Sequence, residues 1–423
     1  MQEDFLHYIW KHKKFDASSL ETTEKETISL VSVGQHNLNS GPDFFNAQLK
    51  IDNQLWAGNV EIHVKSSDWF LHNHETDAHY DTVILHVVWE HDSEVFRKDN
   101  TAIPVLELKE IVSKQAMEHY KKLFSKGQKW INCEADFADV ADFKIKNWLE
   151  RLYFERLERK SNAIDLLLKN SKNDWEAVLF KMLAKNFGLK VNGEAFLSMA
   201  NAIDFSVVRK IQSNRTALEA LFFGQSHLLE KPVEHGYFQE LSNTYSFLST
   251  KFKLSNKDVV PVQFFRLRPP NFPTIRLAHL ASFYNEYQNS FSKIMETNTI
   301  EAFYEMFALS TSSFWESHYT FSKASKPSKK ILTHAFVDLL LINTIIPLKF
   351  SYAKYQGKEI DDTIIQLIQQ VPSEKNSIIE KFNSLKKVSE NALQSQGLLQ
   401  LKNNYCDYNK CLQCVIGSSL LHK

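Results

Sequence analysis

The sequence predicts an α+β N-terminal domain followed by a mostly α-helical C-terminal region. Three observations predict it. Alternating and β-branched segments dominate up to about residue 130, and helical periodicity dominates beyond it. Between them, Thr82 to Trp89 (TVILHVVW) is a nearly continuous apolar run, the signature of a strand covered on both faces. The expected domains are therefore residues 1–130 and 131–423.

Residues 3 to 14 read as a short helix with Phe5, Leu6, Ile9 and Trp10 on one side. Ile28 to Val33 reads as a strand and Gly34 to Pro42 as a polar loop. Phe44 to Ile51 and Leu55 to Lys65 read as two strands joined near Asp52-Asn53. The polar, His-rich stretch from Asp68 to Asp81 reads as a loop or short helix, and Ala102 to Leu108 as a further strand. The order is helix, three strands, short helix, strand. Helices then follow at Phe143 to Leu168, Asp174 to Phe187, Ala217 to Leu229, Tyr237 to Phe252, Ile275 to Thr297, Ile331 to Ile346 and Ser373 to Gln396. Pro269, Pro270 and Pro273 mark a rigid turn.

With 43% hydrophobic and 24% charged residues, the chain has ordinary globular composition. Its 11 Gly and 10 Pro are too few for long low-complexity stretches. The 50 Lys plus Arg balance the 50 Asp plus Glu, so a general attraction to nucleic acid or anionic lipid is not signalled; any basic surface must be local. The start, Met1-Gln2-Glu3-Asp4, lacks a signal-peptide pattern. The richest apolar stretch, Phe336 to Leu348, is broken by Asp338, Asn343 and Pro347. No membrane partner and a cytoplasmic location are expected. The oligomeric state is not written in the sequence.

The densest chemistry lies between Gly41 and His91. On the strand ending at Lys65, Glu61, His63 and Lys65 share one face. Hydrolysis at a metal needs hard oxygen ligands for Mg²⁺ or Mn²⁺ and a group to position water. Glu61 suits the ligand and His63 the water-orienting partner. Positions two apart on a strand are separated by roughly 7 Å, which puts Lys65 far from Glu61. A turn at Asp52-Asn53 brings Asp43 level with this pair, but on the face of Ile62 unless a bulge near Phe44-Phe45 corrects the parity. Gly41-Pro42-Asp43 is equally compatible with a plain turn.

Pro42-Asp43 followed by Glu61-Ile62-His63 resembles the PD-(D/E)XK nuclease superfamily over roughly residues 1 to 110. The resemblance implies an αβββαβ-like, restriction-endonuclease-like sheet and phosphodiester hydrolysis of DNA or RNA. It assigns metal binding to Asp43 and Glu61, and water activation to His63 or Lys65. His63 stands where that pattern has Lys. Glu3 is the candidate helical acid. The whole chain also resembles a bacterial family known only as a domain of unknown function, through GPDF, VEIHVKSSDW, YDTVILHVVWE, RLRPPNFPTIRLA and CLQCVIG. Two alternatives to a nuclease follow from the residues. One is a non-catalytic nucleic-acid or protein-binding module on a nuclease-like scaffold. The other is a different metal hydrolase built on His72, His74 and Asp77.

His86 sits inside an apolar strand, where a hydrogen-bonded core histidine is the commoner outcome. Cys406, Cys411 and Cys414, spaced C-x4-C-x2-C, together with the distant Cys133, could bind zinc or an iron–sulfur cluster; buried reduced thiols are the plain alternative. Arg266, Arg268 and Arg276, beside aromatics and without acids, are candidate phosphate contacts, with a structural arginine clamp as the alternative.

Overall fold

In the computed structural model, which describes residues 2–37, 39–125, 129–358 and 362–421, helix α1 (Glu3–Lys11) packs on a mixed sheet. Its first turn is acidic, as the helix dipole favours. Phe5, Leu6, Tyr8, Ile9 and Trp10 are buried, and the Trp10 indole donates to the Val33 carbonyl at 3.0 Å. The sheet contains β1 (Leu20–Glu21), β2 (Thr27–Ser32), β3 (Gln35–His36), β4 (Phe44–Ile51) and β5 (Gln54–Lys65), all antiparallel. A crossover then runs through α2 (Asp68–Leu71) and two single turns of 3₁₀ helix, His74–Thr76 and Ala78–Tyr80. It delivers β6 (Val83–Glu90) parallel to β5, and β7 (Val105–Glu107) follows parallel to β6. The strand order is β1-β2-β4-β5-β6-β7, with β3 paired to β4. Helix α3 (Lys114–Leu123) follows.

The run TVILHVVW becomes β6, buried on both faces as its composition requires. At Gly58 the start of β6 leaves no room for a side chain on β5. A Cβ there would lie 2.5 Å from Ile84 Cγ2 and 2.6 Å from the Thr82 carbonyl oxygen.

By its contacts the chain forms two compact units, Met1–Trp148 with Leu401–Lys423, and Leu149–Gln400. This differs from the division at residue 130 drawn from composition. Ile145 and Trp148, in the first turns of α4 (Asp142–Asn170), are buried, and Trp148 meets Tyr405 edge-on at 5.4 Å. The chain's last helix, Val415–Leu421, packs on α3. The C-terminal segment is therefore part of the sheet unit.

Among the described residues, the named elements of the second unit are helices and one hairpin, His318–Thr320 with Lys323–Ala324. The sequence reading misses that hairpin, β1, β3, α3 and the helices Leu189–Asn201, Phe205–Ile211, Ile300–Met306, Ser313–Glu316 and Asp362–Gln370. Leu189–Asn201 begins one residue after Trp175–Phe187 ends, and Leu189 at φ 54° makes the joint. The single helix expected over Ile275 to Thr297 is two, Pro273–Glu286 and Ser290–Glu296. His334–Tyr355 is a continuous helix with a π-helical turn at Leu341–Ile345. At 22 residues and mean hydropathy 1.4 it is long and apolar enough to cross a membrane, despite the polar interruptions, and 72% of its apolar window is buried inside the unit.

His279 is buried in this unit, with Nε2 donating to the Lys330 carbonyl at 2.9 Å. Burial pushes its pKa down to about 4, against the smaller upward pull of that hydrogen bond. Above pH 6.5 the folded and unfolded states hold the imidazole equally neutral. As pH falls from 6.5 towards 4 the unfolded chain takes up a proton that the folded one refuses, so stability declines by up to about 3 kcal/mol. Thermal melts across this range are expected to show that decline, and His279→Gln to flatten it. An unchanged slope in the variant would remove His279 as the cause.

Candidate metal centre

Asp52 and Asn53, at φ 45° and 68°, form the tight turn between β4 and β5. Pairing runs regularly from Ile51 opposite Gln54 to Ala47 opposite Gly58. Phe45 and Asn46 then bulge against Asn59, so that Phe44 faces Val60. Asn46 takes φ 56°, a conformation Asn tolerates, and its amide donates to Asn59 Oδ1 at 3.2 Å. One extra residue in β4 thus places Asp43 level with Glu61 and on its face. The Asp43 amide donates to Glu61 Oε2 at 3.1 Å, and Asp43 Oδ2 accepts from the Ile62 amide at 2.9 Å.

Two further histidines arrive from the crossover, where Asn73 at φ 59° turns the chain back over β5. His63 Nε2 lies 3.1 Å from His72 Nδ1. One ring nitrogen from each of His63, His72 and His74 lies within 4.8 Å of the other two. Glu61 Oε1 stands 3.6 Å from His63 Nε2 and 3.4 Å from His74 Nε2. Behind them His63 Nδ1 meets His86 Nε2 at 2.8 Å, Tyr80 stacks on His74 at 3.7 Å, and the buried Trp69 ring touches both His74 and His86. From α1, Glu3 reaches the rim and His7 Nε2 sits 3.2 Å from Asp43 Oδ2. Glu3, Asp43, Glu61, His63, His72, His74 and Tyr80 are among the residues lining a cavity of about 440 Å³.

Burial, and then the charge of Asp43, push the Glu61 carboxyl up to about 9, despite the hydrogen bond from the Asp43 amide. Burial, and then the neighbouring imidazoles, push His63 down to about 3. Burial likewise lowers His74 and His86. For His7 burial pulls downward, but the bond to Asp43 and its charge carry the pKa up. Burial and Asp43 raise Glu3. The result is a buried carboxyl held beside the three imidazoles of His63, His72 and His74, a set that gains from a cation. Four N and O ligands at 2.0–2.1 Å in a tetrahedron have edges of about 3.3 Å. The His63–His72, Glu61–His74 and Glu61–His63 separations of 3.1, 3.4 and 3.6 Å lie near that value, and the three histidine nitrogens lie within 4.8 Å of one another.

The structure therefore brings Asp43, Glu61, His63, His72, His74, His86 and Glu3 to one place. It does not bring Lys65, which lies a further strand pitch away and pairs with Asp92 at 3.7 Å. Asp77 lines the cavity mouth, but its carboxylate accepts from the His79 amide and contacts the His79 ring at 2.8 Å. His63 has both ring nitrogens against other histidines, which suits a ligand better than a free base. The sequence reading missed His7, although the i+4 spacing from Glu3 on an amphipathic helix puts both on one face. It also missed Tyr80, which no local pattern marks. The arginine set lies in the helical unit. Arg276 is buried, stacked over Phe336 at 3.8 Å and bonded to Asn271, and burial lowers its pKa to about 10. This is the structural clamp. Arg266 and Arg268 are exposed, Arg266 lying over Phe265.

Residues 3–377 match the family described as Protein of unknown function (DUF2851). The chain belongs to that family. No curated protein and no solved structure matches it. The part matched to DUF2851 contains every residue of the cavity and Cys133, and ends before Cys406.

Proposed function

We propose that this DUF2851 protein is a metal-dependent hydrolase of nuclease type, cleaving phosphodiesters of DNA or RNA. One observation carries the reading. Three imidazole nitrogens lie within 4.8 Å of one another, and a Glu61 carboxylate oxygen stands 3.6 and 3.4 Å from two of those rings, His63 and His74. Glu61, His63, His72 and His74 are the proposed ligands. So nitrogen-rich a set suits zinc, iron or manganese better than magnesium. A bound ion would polarise a phosphoryl oxygen and acidify a water.

The chain's own residues supply the rest. Asp43 is anchored by the Ile62 amide beside Glu61 and is the proposed proton acceptor for the attacking water. His7, charged against Asp43, orients that carboxylate and offers a cation to the phosphate. In the proposed tautomer His63 donates from Nδ1 to His86 Nε2, which leaves its Nε2 lone pair for the centre. The phosphodiester assignment is supported by the order of elements. Helix α1, an antiparallel run ending in β4 and β5, a helical crossover and the parallel β6, with Asp43 just before β4 and Glu61 on β5, are compatible with the PD-(D/E)XK order, although β1 and β3 are additional to it. The convergence of His72 and His74 favours a second reading, a zinc hydrolase acting on another ester or amide.

Purified protein loaded in turn with zinc, manganese or magnesium is expected to cleave DNA, RNA or an activated phosphodiester. Glu61→Gln with His72→Ala is expected to lose both this cleavage and the bound metal. Cleavage that persists undiminished in that variant would reject the assignment. Cleavage of esters but not phosphodiesters by the metal-loaded protein would select the second reading.

A further inference from the structure

Every cysteine of the chain converges on one spot. Cys133, Cys406, Cys411 and Cys414 are the only four in the sequence, all are free thiols, and all four line a single small cavity in the sheet unit. Between Cys133 and Cys406 the chain makes the whole helical unit and returns. Cys133, Cys411 and Cys414 are buried and Cys406 is half-buried.

The sulfurs are also approached by donors. Asn132 Nδ2 donates to Cys411 Sγ at 3.3 Å, and the backbone N–H groups of Ile416 and Gly417 are directed at Cys414. Gly417 is required for this approach, because a Cβ there would lie 2.2 Å from the Cys411 carbonyl oxygen. A thiol packed merely as a small hydrophobe needs no donors aimed at its sulfur. Thiolates that hold a metal do, since N–H donation offsets the charge gathered on sulfur.

We propose that these four cysteines form an all-thiolate metal centre, separate from the Glu61 cavity, that fastens the C-terminal segment to the sheet unit. Four thiolates select zinc or an iron–sulfur cluster over hard cations. Fastening matters because the turn Cys411–Gln413 packs against α1, and the Tyr8 side chain of α1 lies beside Ser418. Helix α1 carries Glu3 and His7, so the centre positions one wall of the other site from behind.

The test is metal analysis and X-ray absorption on the full chain purified without oxygen. In the Glu61→Gln with His72→Ala chain, which lacks the other centre, about one zinc per chain with four sulfurs near 2.3 Å supports the proposal. Iron with acid-labile sulfide and a broad visible absorption supports it equally and identifies a cluster. Neither metal at stoichiometric level, even after reconstitution, overturns it, as does a coordination shell of nitrogen and oxygen alone. Cys411→Ser with Cys414→Ser is expected to remove the sulfur-bound metal and open the region after residue 400 to protease. Glu61→Gln with His72→Ala is expected to leave it in place, which keeps the two centres' tests independent. Should the cysteine variant not fold, the absorption spectrum of the Glu61→Gln with His72→Ala chain still decides.

Discussion

Asp43→Asn is expected to keep the metal and lose the hydrolysis. The amide retains an oxygen for the Ile62 N–H, so the entry to β4 stays anchored. The ligand set of Glu61, His63, His72 and His74 does not include residue 43. Removing the Asp43 charge even relieves Glu61, whose carboxyl that charge pushes up, so zinc should bind as tightly as before or more so. What disappears is the group placed to take a proton, and loss of general-base assistance lowers turnover by about 10² to 10⁴. His7 loses its counter-charge at the same step, so its pKa falls and any alkaline limb that it sets moves to lower pH. Glu61→Gln should behave differently, losing metal and turnover together. Isothermal titration with zinc beside a hydrolysis assay separates the two. Equal loss of metal in both variants would make Asp43 a ligand and not a base.

How much of this was legible in the sequence depends on how locally each feature is specified. The β4–β5 turn was, because Asp52 and Asn53 are residues that accept positive φ. The buried strand β6 was, because both its faces are apolar. The parity of Asp43 was legible only as a condition. Period-two alternation puts it on the wrong face, and a bulge corrects that, but nothing in Phe45-Asn46 announces the bulge except an Asn able to adopt φ 56°. The three-histidine cluster was not legible as a unit. His72 and His74 were visible as metal-binding types, but their meeting with His63 depends on the path of the crossover, which is set by packing of Trp69 and Tyr80 and not by spacing. The division of the chain failed for a related reason. Composition along the sequence cannot show that the last twenty or so residues return to the first sheet, although the lone Cys133 matched with three late cysteines was a hint.

Trp69→Ala should show that dependence directly. Trp69 is fully buried, donates its indole N–H to the Phe96 carbonyl at 3.1 Å, and forms one core with Tyr80, Val83, Val88, Val95, Ile103 and Val105. Replacing a buried Trp by Ala costs about 3–5 kcal/mol, because the cavity left cannot fully collapse. The loss falls on the crossover, the segment that carries His72 and His74, while Glu61 and His63 remain on a strand held by both neighbours. Two ligands then have to be ordered by the ion itself, and zinc affinity falls with stability. Trp69→Phe keeps most of the packing and loses one hydrogen bond, a cost of about 1–2 kcal/mol, and should retain the metal. Added zinc stabilises whatever binds it, by about 2.7 kcal/mol at a hundred times the dissociation constant, so urea unfolding with and without zinc reads both effects in one experiment. A Trp69→Ala protein that is destabilised yet binds zinc like the wild type would mean that the crossover histidines are not ligands, and the centre would reduce to Glu61 and its strand neighbours.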